Sequence, residues 1–202
     1  MNRKLVIVFG ILSLLICAAF LWRRFNRELP RIDPDTGYLQ VPVELSGGHD
    51  TNPIDHGRPV ALIGPALGVT PELFREAFSS VKPAPAGTIP GHQRVQENKA
   101  KLMRVLGPKG ITNDRLDEVS DYYRYNRRFE KLWRTRPASI YAVVDEGDVI
   151  GFKIIDGGAG YTTSPSVSIP GVNTFNATVN LSFGTDLSTN GAVTAVSINQ
   201  DQ

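Results

Sequence analysis

The sequence predicts an α+β chain: an N-terminal transmembrane or signal helix, a small helical part and a C-terminal antiparallel β module. Three observations predict it. Residues 5–22 carry no charge. Residues 59–136 repeat apolar positions at helical spacing between clear helix starts and stops. Residues 137–202 alternate apolar and polar positions between glycine-rich and Asn-Gly turns. The boundaries read as a signal anchor over 1–24, a Pro/Gly-rich tether over 25–58, the helical part over 59–136 and the β module over 137–202.

The uncharged run is 18 residues, about 27 Å as a helix, close to the ~30 Å of a bilayer core. Arg3 and Lys4 precede it, and Arg23, Arg24 and Arg27 follow. Two readings stand. One is an uncleaved single-pass anchor stopped by the arginine pair. The other is a cleaved signal with Cys17-Ala18-Ala19 as its small-residue site. The anchor is favoured, because Phe20, Leu21 and Trp22 continue the apolar run past that site. The expected location is the membrane with an extracytoplasmic body, or secretion if the signal is cleaved. The tether is read from prolines at 30, 34, 42, 53 and 59 and from Gly37, Gly47, Gly48 and Gly57, with one short extended piece over 38–45. Asp33-Pro34-Asp35-Thr36-Gly37 is an Asp-Pro turn.

The helical part opens with a short helix over 60–67, limited by Pro65. Thr70-Pro71-Glu72 starts the next: a capping hydroxyl, a proline at the first helical position and an acid on the positive end of the dipole. Leu73, Phe74, Ala77, Phe78 and Val81 then share a face. A longer helix over 91–106 turns Val95, Leu102, Met103 and Leu106 inward and stops at Gly107-Pro108. Thr112 or Asn113 caps the last, which buries Leu116, Val119 and Tyr123. Strands are expected over 140–144, 149–155, around Val167 and Ile169, over 177–183 and over 192–198, in a sandwich-like sheet or small open barrel. Gly147-Asp148-Val149 echoes Gly191-Ala192-Val193 at an offset of 44 residues, which continues from Phe152 to Val196 and from Ile154 to Ile198.

At these residues a family resemblance emerges. Gly158-Ala159-Gly160-Tyr161, Pro165, Val167 and Ile169, then Ala177-Thr178-Val179 and Gly191-Ala192-Val193, resemble the G-x-G-Y-x-x-x-P-x-V β-repeat of bacterial surface proteins and phage structural proteins. The resemblance covers about residues 147–199, with one full unit and a truncated second. It implies a β-rich scaffold or adhesion module rather than a catalyst. Tyr161 is expected to be at least half buried against the β core.

The chemistry the sequence offers is sparse. One cysteine, inside the apolar run, excludes a disulfide framework and a Cys-rich zinc site. Residues 51–140 hold 15 Lys+Arg against 9 Asp+Glu, and residues 141–202 hold 1 against 6. No basic run exceeds two residues, and Asp114, Asp117, Glu118 and Asp121 would repel phosphate from the last helix, so no nucleic acid partner is expected. His49, Asp50, Asp55 and His56 are the weak metal candidates, since imidazole and carboxylate both suit zinc. Tyr122, Tyr123, Arg124 and Tyr125, followed by Trp133, form an aromatic–basic cluster that could stack a ligand or cement a seam. No catalytic residue and no cofactor is expected. The function read from the sequence is that of a membrane-anchored, non-enzymatic envelope protein with a binding or scaffolding role. Its expected partners are the membrane through residues 5–22 and an envelope protein or glycan. The alternative is a metal-assisted hydrolase using the loop from His49 to His56.

Overall fold

A computed structural model of the chain describes residues 29–84, 88–124, 132–172 and 176–199. The expected span over 5–22 and Tyr125 lie outside the described residues. Among those residues no helix is long and apolar enough to cross a membrane. The α+β class holds: the described residues form four α-helices beside three antiparallel sheets.

The helices are α1 (Val60–Ala66), α2 (Pro71–Ser79), α3 (His92–Leu106) and α4 (Asn113–Tyr122). Their starts follow the local chemistry. Thr70 Oγ1 accepts from Leu73 N at 3.2 Å ahead of α2, and Thr112 Oγ1 accepts from Arg115 N at 3.2 Å ahead of α4. Each hydroxyl satisfies a first-turn amide that has no partner within the helix. The Asn98 amide of α3 bonds both Lys82 N and Lys82 O, pinning the chain that leaves α2. Leu62, Ala66, Phe74, Ala77, Leu106, Leu116, Val119 and Tyr123 form one core with Trp133. Val95 departs from expectation: it is 45% exposed, because the first two turns of α3 project beyond the other helices.

The eight strands are β1 (Arg31–Ile32), β2 (Leu39–Pro42), β3 (Glu44–Ser46), β4 (Ser139–Asp145), β5 (Asp148–Asp156), β6 (Ser166–Ser168), β7 (Ala177–Ser182) and β8 (Ala192–Ile198). One sheet runs β1-β2-β4-β5, and β3-β6 and β7-β8 form two further ladders. The ladders share neighbours. Val43 N donates to Ile140 O between β2 and β3, Val193 N donates to Gly157 O where β8 meets the end of β5, and Ser164 Oγ donates to Val179 O beside β7. The relations therefore close on themselves: β2 runs into β3, then β6, β7, β8, β5, β4 and back to β2. Ile140, Tyr161, Val179 and Val193 fill the interior with Leu45, Phe152, Ile154, Val167, Leu181 and Val196 around them. The strands thus surround one interior as three separate antiparallel sheets, with β1, β2 and β3 added to the five strands expected.

Two expectations are corrected here. Residues 29–58 are not a free tether. They supply β1, β2 and β3 and the 3-10 turn Pro53–Asp55, and β2 lies inside the four-stranded sheet, paired with β4 from Leu39↔Val144 to Pro42↔Tyr141. The prolines punctuate rather than prevent this order: Pro34 sits in a turn and Pro42 ends its strand, where a lost amide does least harm. The alternation predicts Phe183 inward with Val179 and Leu181, and Ile150 on one face with Phe152 and Ile154; neither expectation holds. Phe183 lies beyond the end of β7 and is 42% exposed. Ile150 is 51% exposed because β5 bulges there: Val143 pairs Gly151 and Val144 pairs Val149, leaving Ile150 without a partner residue.

That bulge gives the internal echo a structural meaning. In β8, Asn180 pairs Ala195 and Leu181 pairs Val193, so Thr194 is the unpaired residue. Ile150 and Thr194 stand at the same offset of 44 as Gly147 and Gly191. Both hairpins thus return through a strand that bulges three residues after its glycine.

Candidate functional site

Of the side chains singled out by sequence, Tyr123 and Trp133 lie in the seam between helices and β ring, and Asp50 and Asp55 line a cleft beside it.

The seam is built on the glycine loop. Asp156 ends β5 and turns the chain, its carboxylate accepting from Gly158 N at 2.9 Å and from the Arg136 guanidinium. Arg136 and Ala159 exchange backbone bonds at 2.9 Å each way. Gly160 lies at φ +87°, and a Cβ there would stand 2.7 Å from Arg134 O, so this glycine lets the segment around Arg134 approach. Tyr161 follows, 4% exposed, its hydroxyl accepting from Ala138 N at 3.1 Å. Tyr161 is thus buried against the β core, as expected.

Trp133 closes the loop from the helical side. It is 4% exposed, and its Nε1 donates to Gly160 O at 2.9 Å. Tyr123, 2% exposed, packs edge-on against Tyr122, with ring centroids 5.0 Å apart. Asn190 is 1% exposed and ties three elements together. Its Nδ2 donates to Leu62 O at 2.9 Å and to the Tyr123 hydroxyl at 2.8 Å, and its Oδ1 accepts from Gly184 N at 3.1 Å. Burial pushes the Tyr123 hydroxyl up to about 12, so it stays a neutral phenol at neutral pH. Arg115 of α4 bonds Ala66 O at 2.8 Å and also Thr185 O on the β side. Of the proposed aromatic–basic cluster, Tyr123 and Trp133 are therefore internal to the seam. Arg124 is exposed and pairs with Asp121, and Tyr125 lies outside the described residues.

The cleft, about 180 Å³, lies between residues 50–61 and the pair Thr162-Thr163, with Arg75 on its wall. Asp55 is 3% exposed and receives a two-pronged ion pair from Arg75, at 2.8 and 2.9 Å. The carboxylate also holds the Arg75 guanidinium above its ordinary range. Asp50 accepts from Thr163 Oγ1 at 3.2 Å through its carboxylate and from Thr162 Oγ1 at 2.7 Å through its carbonyl. Arg58 lies over the Phe78 ring, 4.0 Å from its centroid.

These contacts disperse the metal candidates. His49 stacks on Tyr161 with centroids 5.1 Å apart, and burial lowers its pKa. Asp55 is committed to Arg75. His56 is an exposed left-handed residue closing the turn Pro53–Asp55. Among the described residues no group of three or more His, Cys, Asp or Glu is arranged to hold a metal ion. The four lie close in sequence, but His49, Asp50 and Asp55 serve separate contacts and His56 is exposed.

The sequence reading missed Asn190, Arg75 and Arg136. Asn190-Gly191 carries a turn signal, which hid its inward-facing amide. The partners of the two arginines, Asp55 and Asp156, lie 20 residues away in each case, beyond the reach of local pattern.

Acid titration should expose the Asp156 contacts. The bond from Gly158 N, and then the Arg136 pair, hold this carboxyl below its ordinary 3.8. Asp33, bonded by Lys153, and Asp186, bonded by Ser188, are lowered as well. A depressed carboxyl stabilises the fold at pH values above its unfolded pKa, and the contribution is lost as pH falls through the folded one. Stability against urea is therefore expected to fall below about pH 4. Asp156→Asn should lower stability at pH 7 and make the acid slope shallower. An unchanged slope would show that the aspartate is not preferentially ionised in the fold.

Comparison of the chain with family models, curated proteins and solved structures gives no match.

Proposed function

We propose that this protein is a membrane-anchored, non-enzymatic component of the cell envelope whose folded body serves as a binding or scaffolding module. One observation carries the reading. The side chains best suited to chemistry are spent on internal contacts: Trp133 on Gly160 and Asn190 on Leu62 and Tyr123 join helices to β strands, Arg136 on Asp156 braces the glycine loop, and Arg75 on Asp55 holds α2 to the turn Pro53–Asp55. A scaffold needs a rigid body more than a poised acid or nucleophile, and the closed order of strands supplies one. The apolar run over 5–22 supplies the anchor, and an envelope protein or glycan is the partner class this placement favours.

Membrane fractionation of the full chain tests the anchor. The expected result is a chain that sediments with membranes and resists carbonate extraction. A chain that is soluble with its N-terminus intact overturns it. Zinc titration of the same chain is expected to give no stoichiometric saturation. Tight binding that disappears in the His49→Ala/His56→Ala variant would overturn the non-enzymatic reading and restore the hydrolase.

A further inference from the structure

We propose that the β1–β2 edge of the body lies against the lipid surface immediately beyond the membrane span, with Ile32 and Leu39 as its contact residues. The proposal rests on the anchor reading of residues 5–22. The first argument is reach. With residues 29–58 folded into the body, only residues 23–28 separate Trp22 from Leu29. Fully extended, that connection spans at most about 25 Å. The headgroup zone alone takes about 5–8 Å of it. The end of the body that carries β1 is therefore held at the bilayer, whereas a tether running to residue 58 would have left the body free to stand off.

The second argument is the surface at that end. Leu39 and Val41 share a face of the sheet with Val144 and Ala142, their partners across the ladder. Ile169 and Val172 cover Val41, Ala142 and Val144. The cover stops there, and the apolar face runs on to Leu39 and to its neighbour on β1, Ile32, which are 37% and 61% exposed. Leu29 and Tyr38 flank them, at 75% and 37% exposure. Four apolar side chains are thus open to solvent at the point where the chain leaves the body, where soluble surface would ordinarily be polar.

The third argument is charge. Residues 23–31 hold Arg23, Arg24, Arg27 and Arg31 against Glu28. Such a basic stretch beside a span is drawn to anionic headgroups. Asp33 does not oppose this, because it is buried and bonded by Lys153 at 3.0 Å and by Gln40. Asp35 in the turn and Asp145, Glu146 and Asp148 in the hairpin beside Val144 also face outward near this end, so the attraction to headgroups is assigned to residues 23–28, on the membrane side of the body.

Fluorescence quenching in nanodiscs decides the matter. The full chain carrying Cys17→Ser is reconstituted one copy per disc in phosphatidylcholine–phosphatidylglycerol. Ile32→Cys, Leu39→Cys or Ile89→Cys then carries an environment-sensitive dye, Ile89 being 96% exposed on the helical side. Lipids bearing a spin label near the headgroup should cause a severalfold loss of emission at 32 and 39 and none at 89. A chain that fails to enter discs at all overturns both the anchor and the docking. A chain that enters but shows equal, weak quenching at all three positions overturns the docking alone. Protection at 32 and 39 that arises only when two copies share a disc assigns the surface to a second copy and also overturns it.

Discussion

Replacing Trp133 by alanine is expected to destabilise the chain by about 3–5 kcal/mol, the range for deleting a buried tryptophan. Two losses combine. The ring is 4% exposed and packs in the helical core, so its removal leaves a cavity the fold closes only in part. The Nε1 bond to Gly160 O is buried, so the carbonyl loses its donor and has no route to water. Trp133→Phe separates the terms: it keeps most of the ring, forfeits the bond and should cost about 1–3 kcal/mol. Urea denaturation followed by far-UV circular dichroism gives both values. Helix and strand signals should be lost together in the wild-type chain, because Trp133, Asn190 and Arg115 each bridge the two parts. A Trp133→Ala loss below about 1 kcal/mol would mean the seam adapts to the cavity and contributes little to stability.

What the sequence made legible was local. Thr70-Pro71 and Thr112 announce helix starts by a mechanism confined to four residues, and both hydroxyls bond the amides they were expected to bond. The strands of the β module were readable because alternation survives wherever one face is covered, as at Val179 and Leu181. Alternation misled at Ile150, because a bulge shifts the parity of every residue before it and leaves no mark in composition. The stretch 29–58 misled for a different reason. Its strands are two to four residues long, too short to show a period, and they form because β4 and β6, about a hundred residues later, offer edges to pair with. The candidate site suffered in the same way. Proximity in sequence placed His49, Asp50, Asp55 and His56 together, whereas Asp55 found its partner on α2 and His49 found its own on the glycine loop.

Gly191 provides the second large effect, and the internal echo provides its control. Gly191 precedes β8 at φ +72°, accepting from Tyr161 N at 3.1 Å and donating to Ser182 O at 2.8 Å. A Cβ at this position would stand 2.3 Å from Tyr161 O and 2.6 Å from Leu62 Cδ2. Neither neighbour can yield easily. The first is backbone in the ladder-like contact that seats the glycine loop, and the second belongs to a fully buried side chain. Gly191→Ala therefore adds a steric clash to the intrinsic cost of a left-handed alanine. Overpacking costs about 1–3 kcal/mol and the backbone conformation about 1–2 more, so a loss on the order of 3–5 kcal/mol is expected. Gly147 occupies the equivalent place before β5, also with positive φ, at +99°, but a Cβ there would meet nothing within 4 Å. Gly147→Ala should consequently show the conformational cost alone, about 1–2 kcal/mol. The difference between the two midpoints in urea, at unchanged m-value, isolates the crowding between Gly191, Tyr161 and Leu62. Equal losses at the two glycines would show that the helices do not press on the β ring at this point, and that the seam is held by Trp133 and Asn190 without help from close backbone approach.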